Sequence, residues 1–182
     1  IESLNVTQAF TATAKDAKGK TIAGKTFTWS SDNSSAVSIN SSGIATAAAN
    51  SGTPVTIRAK VDGKEGTATV SVSQKVTIVQ VTADSTSIAS LNGTQQFRAA
   101  VKDANSQSVS GKTIDWSSDK PGIATVDTNG LVKAVANGSA VIQAKVDGAA
   151  GTLTVVVDQV VNSVTVTPSE KTLASIGKGV LS

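Results

Sequence analysis

The sequence predicts an all-β protein built of tandem two-sheet sandwiches, and three observations carry that prediction. The 182 residues lean to Ser, Thr, Val, Ala and Gly, a composition that suits short half-buried strands and tight turns better than helices. Apolar residues recur at every second position over short stretches, the period of a strand with one covered face. The chain also repeats itself, Trp29-Ser30-Ser31-Asp32 returning as Trp116-Ser117-Ser118-Asp119.

Phe10 matches Phe97, Asp16 matches Asp103, and Gly24-Lys25-Thr26 matches Gly111-Lys112-Thr113 in the same frame. Ala59-Lys60-Val61-Asp62-Gly63 matches Ala144-Lys145-Val146-Asp147-Gly148 with a shorter offset, which places extra residues of the first copy in a loop near Asn50 to Pro54. Val79-Gln80-Val81-Thr82 recurs as Val164-Thr165-Val166-Thr167, and Ile88-Ala89-Ser90 as Leu173-Ala174-Ser175, so a third copy opens near Val160. Ile1-Glu2-Ser3 aligns with Ile88-Ala89-Ser90, so the first copy lacks the counterpart of Val76 to Ser87. The expected domains are residues 1–74, a module without its first strand; 75–158, a complete module; and 159–182, the first strand of a third module or a donor strand.

Within the complete copy, Val79 and Val81 mark a first strand, and Phe97, Ala99 and Val101 a second. Ile114 and Trp116 mark a third, Ala124 and Val126 a fourth, Leu131 and Ala134 a short fifth. Ile142, Ala144 and Val146 lead through Asp147-Gly148 into Leu153, Val155 and Val157, a closing hairpin on a favoured turn pair. Seven strands in so short a span imply a two-sheet sandwich.

These residues resemble the group 2 bacterial immunoglobulin-like domains, found in arrays on adhesins of the invasin and intimin type and in phage virion proteins. The resemblance rests on Val79-Gln80-Val81-Thr82, Trp116-Ser117-Ser118-Asp119, Ala124 through Val132, and Gly138-Ser139-Ala140-Val141-Ile142 leading into Val146-Asp147-Gly148. It implies tandem immunoglobulin-like β-sandwiches of about seven strands each. It also implies a non-catalytic structural spacer or adhesion module, extracellular, on a bacterial cell surface or a virion. The partners it implies are neighbouring modules of the same or a longer chain, with any host-surface or glycan receptor met through regions outside this chain.

The composition narrows the chemistry independently. Without Cys, His, Met or Tyr there are no disulfides, thiol nucleophiles, imidazole bases or zinc fingers, and no enzyme is expected. No catalytic, cofactor-binding or metal-ligating residue is assigned. Gly19 to Thr26 satisfies the phosphate-loop pattern G-x-x-x-x-G-K-[ST], but Phe27, Thr28 and Trp29 continue as a strand where that motif needs a helix. Phe10, Phe27, Trp29, Phe97 and Trp116, all the aromatics, are expected in the cores, leaving no platform for glycans. Asp16, Asp32, Asp62, Asp103, Asp119, Asp127 and Asp147 fall at expected turns, where carboxylates cap nearby amides; calcium at a module junction is the alternative. Sixteen Lys and Arg against thirteen Asp and Glu give a net charge of +3, dispersed rather than striped, so no nucleic acid is expected. No apolar run reaches the roughly 20 residues of a membrane span.

Two other functional readings remain beside the spacer. One is a glycan-binding module. The other is a strand-exchange subunit of a head-to-tail fibre, in which Val161 to Leu173 of one molecule completes the first copy of the next.

Overall fold

A computed structural model describes residues 1–167. The expected third-module strand as far as Leu173 lies partly outside these residues, and its described part, 160–167, is not in a strand. Among the described residues all regular structure is β. The first unit holds β1 (Thr7–Ala9), β2 (Thr28–Ser31), β3 (Val37–Ile39), β4 (Ile44–Ala47), β5 (Val55–Val61) and β6 (Lys64–Val70). The second holds β7 (Ile78–Ala83), β8 (Ser87–Ile88), β9 (Thr94–Lys102), β10 (Asp115–Ser118), β11 (Ala124–Val126), β12 (Leu131–Ala134), β13 (Gly138–Val146) and β14 (Ala149–Val157).

The second unit is a sandwich of two four-stranded sheets, ordered β11-β12-β9-β7 and β10-β13-β14-β8. It has eight strands where the sequence predicts seven. The added one, β8, pairs in parallel with β14, so the opening segment lines one sheet with β7 and then crosses to the other. In β12 the inward residues are Val132 and Ala134, and Leu131 faces solvent, correcting the expectation for Leu131. The core gathers Val79, Val81, Phe97, Val132, Ile142, Val146 and Val155 among others.

The first unit repeats this plan with fewer strands, in sheets β1-β4-β3 and β2-β5-β6. Ile1 occupies the place of Ile88: the Ser73 amide donates to the Ile1 carbonyl as the Asp158 amide donates to Ile88. Nothing described occupies the place of β7. Both closing hairpins turn on two residues with positive φ, Asp62-Gly63 and Asp147-Gly148, the mirror-image turn that matches strand twist. Asp62 pairs with Lys25, and Asp147 with Lys112 at 2.7 Å.

Gly151 and Gly66 show what β7 does. A methyl group on Gly151 would collide with the Val79 main-chain carbonyl, whereas one on its counterpart Gly66 would meet nothing within 4 Å. Gly151→Ala is expected to push β7 off the sandwich and cost about 2 to 3 kcal/mol. Gly66→Ala is expected to leave stability unchanged or slightly improved. Denaturant unfolding, with hydrogen exchange at the Val79 and Val81 amides, checks both; equal effects at the two glycines would refute this role for β7.

Candidate functional site: the module junction and the open groove

Two features set the units apart from plain repeats: the contact between them and a groove in the first. The contact centres on Asp103. In each copy an aspartate follows the strand β1 or its counterpart β9 and caps its own turn. Asp16 Oδ1 accepts the amides of Lys18 and Lys20, both at 2.9 Å, and Asp103 Oδ1 those of Asn105 and Gln107, both at 2.9 Å. The other oxygen separates the copies. Asp103 Oδ2 accepts the Leu4 amide of the first unit at 2.9 Å and Nε2 of Gln74 in the connecting segment at 3.0 Å.

Asp103 is 0% exposed, and Gln74 and Ser3 are buried beside it. Gln74 is fixed in turn. Its amide donates to Asn50 Oδ1 at 2.7 Å, its Oε1 accepts from Asn50 Nδ2 at 3.1 Å, and its Nε2 also reaches the Ser108 carbonyl at 3.2 Å. Asn105 Nδ2 donates to the Leu4 carbonyl at 2.8 Å, closing the contact from the other side. Burial by itself would raise the Asp103 carboxyl pKa, but the Gln74 hydrogen bond and the amides of Leu4, Gln107 and Asn105 together hold it below the ordinary 3.8. Four N–H donors fill its lone-pair directions, so the junction is built by hydrogen bonds and leaves this carboxylate no free pair for calcium. Among the described residues no three His, Cys, Asp or Glu side chains cluster as metal ligands.

The groove lies where β7 would sit. It has a volume of about 400 Å³, and its walls include Phe10, Phe27, Trp29, Ile57 and Gly66. Ile22, on its rim, is 41% exposed, while its counterpart Val109 is 7% exposed beneath β7. Phe10 is likewise half-buried, against 0% exposure for Phe97. The expectation that all aromatics lie in the cores therefore holds fully only for Phe97. Trp29, Trp116, Phe10 and Phe27 are half-buried, and Trp116 borders a second cleft with Lys112 and Asn129. The tryptophans are not open platforms. The indoles of Trp29 and Trp116 press on Gly43 and Gly130, where a methyl group would lie only 2.9 Å from each ring. Both glycines also have positive φ, so two constraints exclude a side chain there.

Other sequence candidates resolve locally. Gly19 and Gly24 lie in turns with positive φ, and β2 follows Phe27, so Gly19 to Thr26 has no helix to face a phosphate. Asp127 caps the amides of Asn129 and Leu131, and Asp32 and Asp119 cap Thr56 and Val141. Both arginines have acidic partners: Arg58 meets Glu65 at 2.7 Å, and Arg98 meets Asp84 at 3.0 Å. Lys60 also reaches Glu65 at 3.1 Å; the Arg58 and Lys60 hydrogen bonds hold the Glu65 carboxyl below its ordinary range. Among the described residues no helix is long and apolar enough to cross a membrane.

Comparison with known proteins agrees with this architecture. Residues 112–159 match the family model described as Big-like, a bacterial Ig-like domain. The chain is 31% identical over 186 residues to Ice-binding protein 1 of Shewanella frigidimarina (strain NCIMB 400), an alignment covering 97% of this chain and 20% of that relative. The chain thus spans a fifth of that relative's length. Among solved structures, domains 1–6 of the surface layer protein SbsC are 25% identical over 82% of this chain and 23% of that one, with a TM-score of 0.42. Invasin, a bacterial integrin-binding protein, is 18% identical over 81% of this chain and 34% of its own, with a TM-score of 0.49. By the family match, the module that contains residues 112–159 is a bacterial Ig-like domain, and the unit before it is built on the same strand plan.

Proposed function

We propose that the chain is a non-catalytic spacer segment of a bacterial surface protein, with modules at residues 1–74 and 75–158 and a further strand opening in 159–182. The observation that carries this reading is the buried Asp103 junction. A floppy tether needs a solvated linker rich in Gly or Ser. Here Val72, Gln74 and Val76 are buried, and the linker's polar groups are spent on Asn50, Glu2 and Asp103. Such a joint transmits orientation from one module to the next, which is what a stalk requires and a catalytic or sugar-binding domain does not. On this reading the fifth of the ice-binding relative that aligns with the chain supplies reach rather than contact with ice. Adhesion, where it occurs, belongs to regions beyond these modules. A bacterial surface is preferred to a virion because the matched family model and the ice-binding relative are both bacterial.

The chain has no native cysteine, so spin labels can be placed at will. Labels at Ser38→Cys and Thr125→Cys, equivalent exposed sites in the two units, are expected to give one narrow distance distribution. A broad or multimodal distribution would mean a free hinge and would overturn the spacer reading.

A further inference from the structure

We infer that the cleft beside Trp116 in the second module is a subsite for a neutral oligosaccharide, with the indole against a sugar ring and Gln96, Asp115 and Asn129 on its hydroxyls. This goes beyond the spacer reading and does not depend on it: a subsite on the flank of a module meets polysaccharide alongside the chain, while receptor adhesion stays elsewhere.

Every wall of this cleft belongs to the second unit, between Gln96 and Asn129. Its volume is about 490 Å³, within the roughly 300 to 1,000 Å³ usual for small-ligand sites. It opens between β9 of one sheet and β10 of the other, with the turn from β11 to β12 along its rim. Trp116 is fixed there. Its benzo ring rests on Gly130, and the half-buried indole still lines the cleft, offering a flat apolar surface to the C–H groups of a pyranose. The rim is held as well. Asp127 Oδ1 accepts the amides of Asn129 at 2.8 Å and Leu131 at 2.9 Å, and Gln96 Nε2 donates to the carbonyls of Phe97 and Asn129, both at 2.8 Å.

Those bonds leave polar atoms to spare. Among the described residues Gln96 Oε1, the Asn129 side-chain amide and the Asp115 carboxylate make no hydrogen bond or ion pair, and Thr113 and Thr128 add two hydroxyls. Sugar hydroxyls, which each donate and accept, need such a mixture of acceptors and donors. The cations of the cleft are already engaged, Lys112 with Asp147 at 2.7 Å and Arg98 with Asp84 at 3.0 Å. An unpaired carboxylate beside engaged cations disfavours a phosphate or carboxylate ligand, so the fitting occupant is uncharged. The first copy supplies the contrast. Around Trp29 it keeps Lys25 and Thr26, but the counterparts of Gln96, Asp115 and Asn129 are Ala9, Thr28 and Ser42. The indole therefore belongs to the repeated fold, while the longer polar side chains around it belong to the second copy alone.

Calorimetric titration of the full 182-residue chain with cellotriose and with triacetylchitotriose tests this, read beside the fluorescence of Trp116 in a Trp29→Phe background. At least one of the two neutral trisaccharides is expected to bind with a Kd of about 1 mM or tighter and to change the Trp116 emission. Trigalacturonate, which brings carboxylates against Asp115, is expected to bind about tenfold more weakly. The triple variant Gln96→Ala, Asp115→Thr, Asn129→Ser carries the residues of the first copy and retains Trp116, so it is expected to fold as the native chain does. It should lose at least about tenfold in affinity, with an unchanged denaturation midpoint showing that the module is intact. The inference is overturned if neither neutral sugar binds at about 10 mM, or if the triple variant binds as the native chain does. Binding that leaves the Trp116 emission unchanged, or that favours trigalacturonate, likewise overturns it.

Discussion

Asp103→Ala is expected to cost about 3 kcal/mol or more, and the loss should fall on the coupling between the units as well as on the second unit. The carboxylate is 0% exposed and accepts four N–H groups. Removing it strands buried donors at roughly 1 to 3 kcal/mol each, partly relieved by water entering the space. Asp16→Ala, at the same place in the other copy, removes two amide contacts on an exposed turn and should cost only about 1 kcal/mol. Chemical denaturation of both variants measures the difference, and the label distance between residues 38 and 125 should broaden only for Asp103→Ala. Equal costs would show that Asp103 is merely a turn residue.

The same carboxylate gives the junction a pH dependence of defined sign. Its folded pKa is lowered below the ordinary 3.8, so its stabilisation is fully present above that value and is lost as pH falls through the lower folded value. Acid should therefore loosen the joint, and the advantage of the native chain over Asp103→Asn should shrink below pH 3.8.

Phe97→Ala is expected to cost about 3 to 5 kcal/mol, the usual range for emptying a buried aromatic site. Phe97 is 0% exposed and belongs to the second core. Phe10→Ala should cost about 1 to 2 kcal/mol, because the Phe10 ring borders an open groove and surrenders less buried area. Each unit carries one tryptophan, so Trp29→Phe and Trp116→Phe backgrounds allow each unit's unfolding to be followed by the fluorescence of the other indole. A Phe10 cost as large as that of Phe97 would mean that the groove is filled in solution.

Much of this architecture was legible in the chain. Alternation placed Val79 and Val81, Phe97, Ala124 and Val126, and the hairpin from Ile142 to Val157, because a strand with one covered face must repeat at two residues. Leu131 escaped that reading because it and Ala134 differ in parity, and either could have set the face; the fold chose Val132 and Ala134. The two-residue Ser87–Ile88 strand was too short to show a period at all.

Sequence by itself determined the repeat, the two-sheet sandwich, and the turn-capping role of the aspartates. Each of these depends on local spacing, and local spacing is what a sequence displays. Tertiary structure alone decided which aspartate mattered most. Asp16 and Asp103 occupy the same position in matching copies and make the same local bonds, yet among the described residues only Asp103 has a neighbour, because Leu4 and Gln74 converge on its second oxygen from 99 and 29 residues away. It likewise decided that the tryptophans are half-buried against Gly43 and Gly130, and that Gly66 borders empty space while Gly151 carries a strand. Those differences are made by what packs on each copy from outside it, and no pattern within a copy records its neighbours.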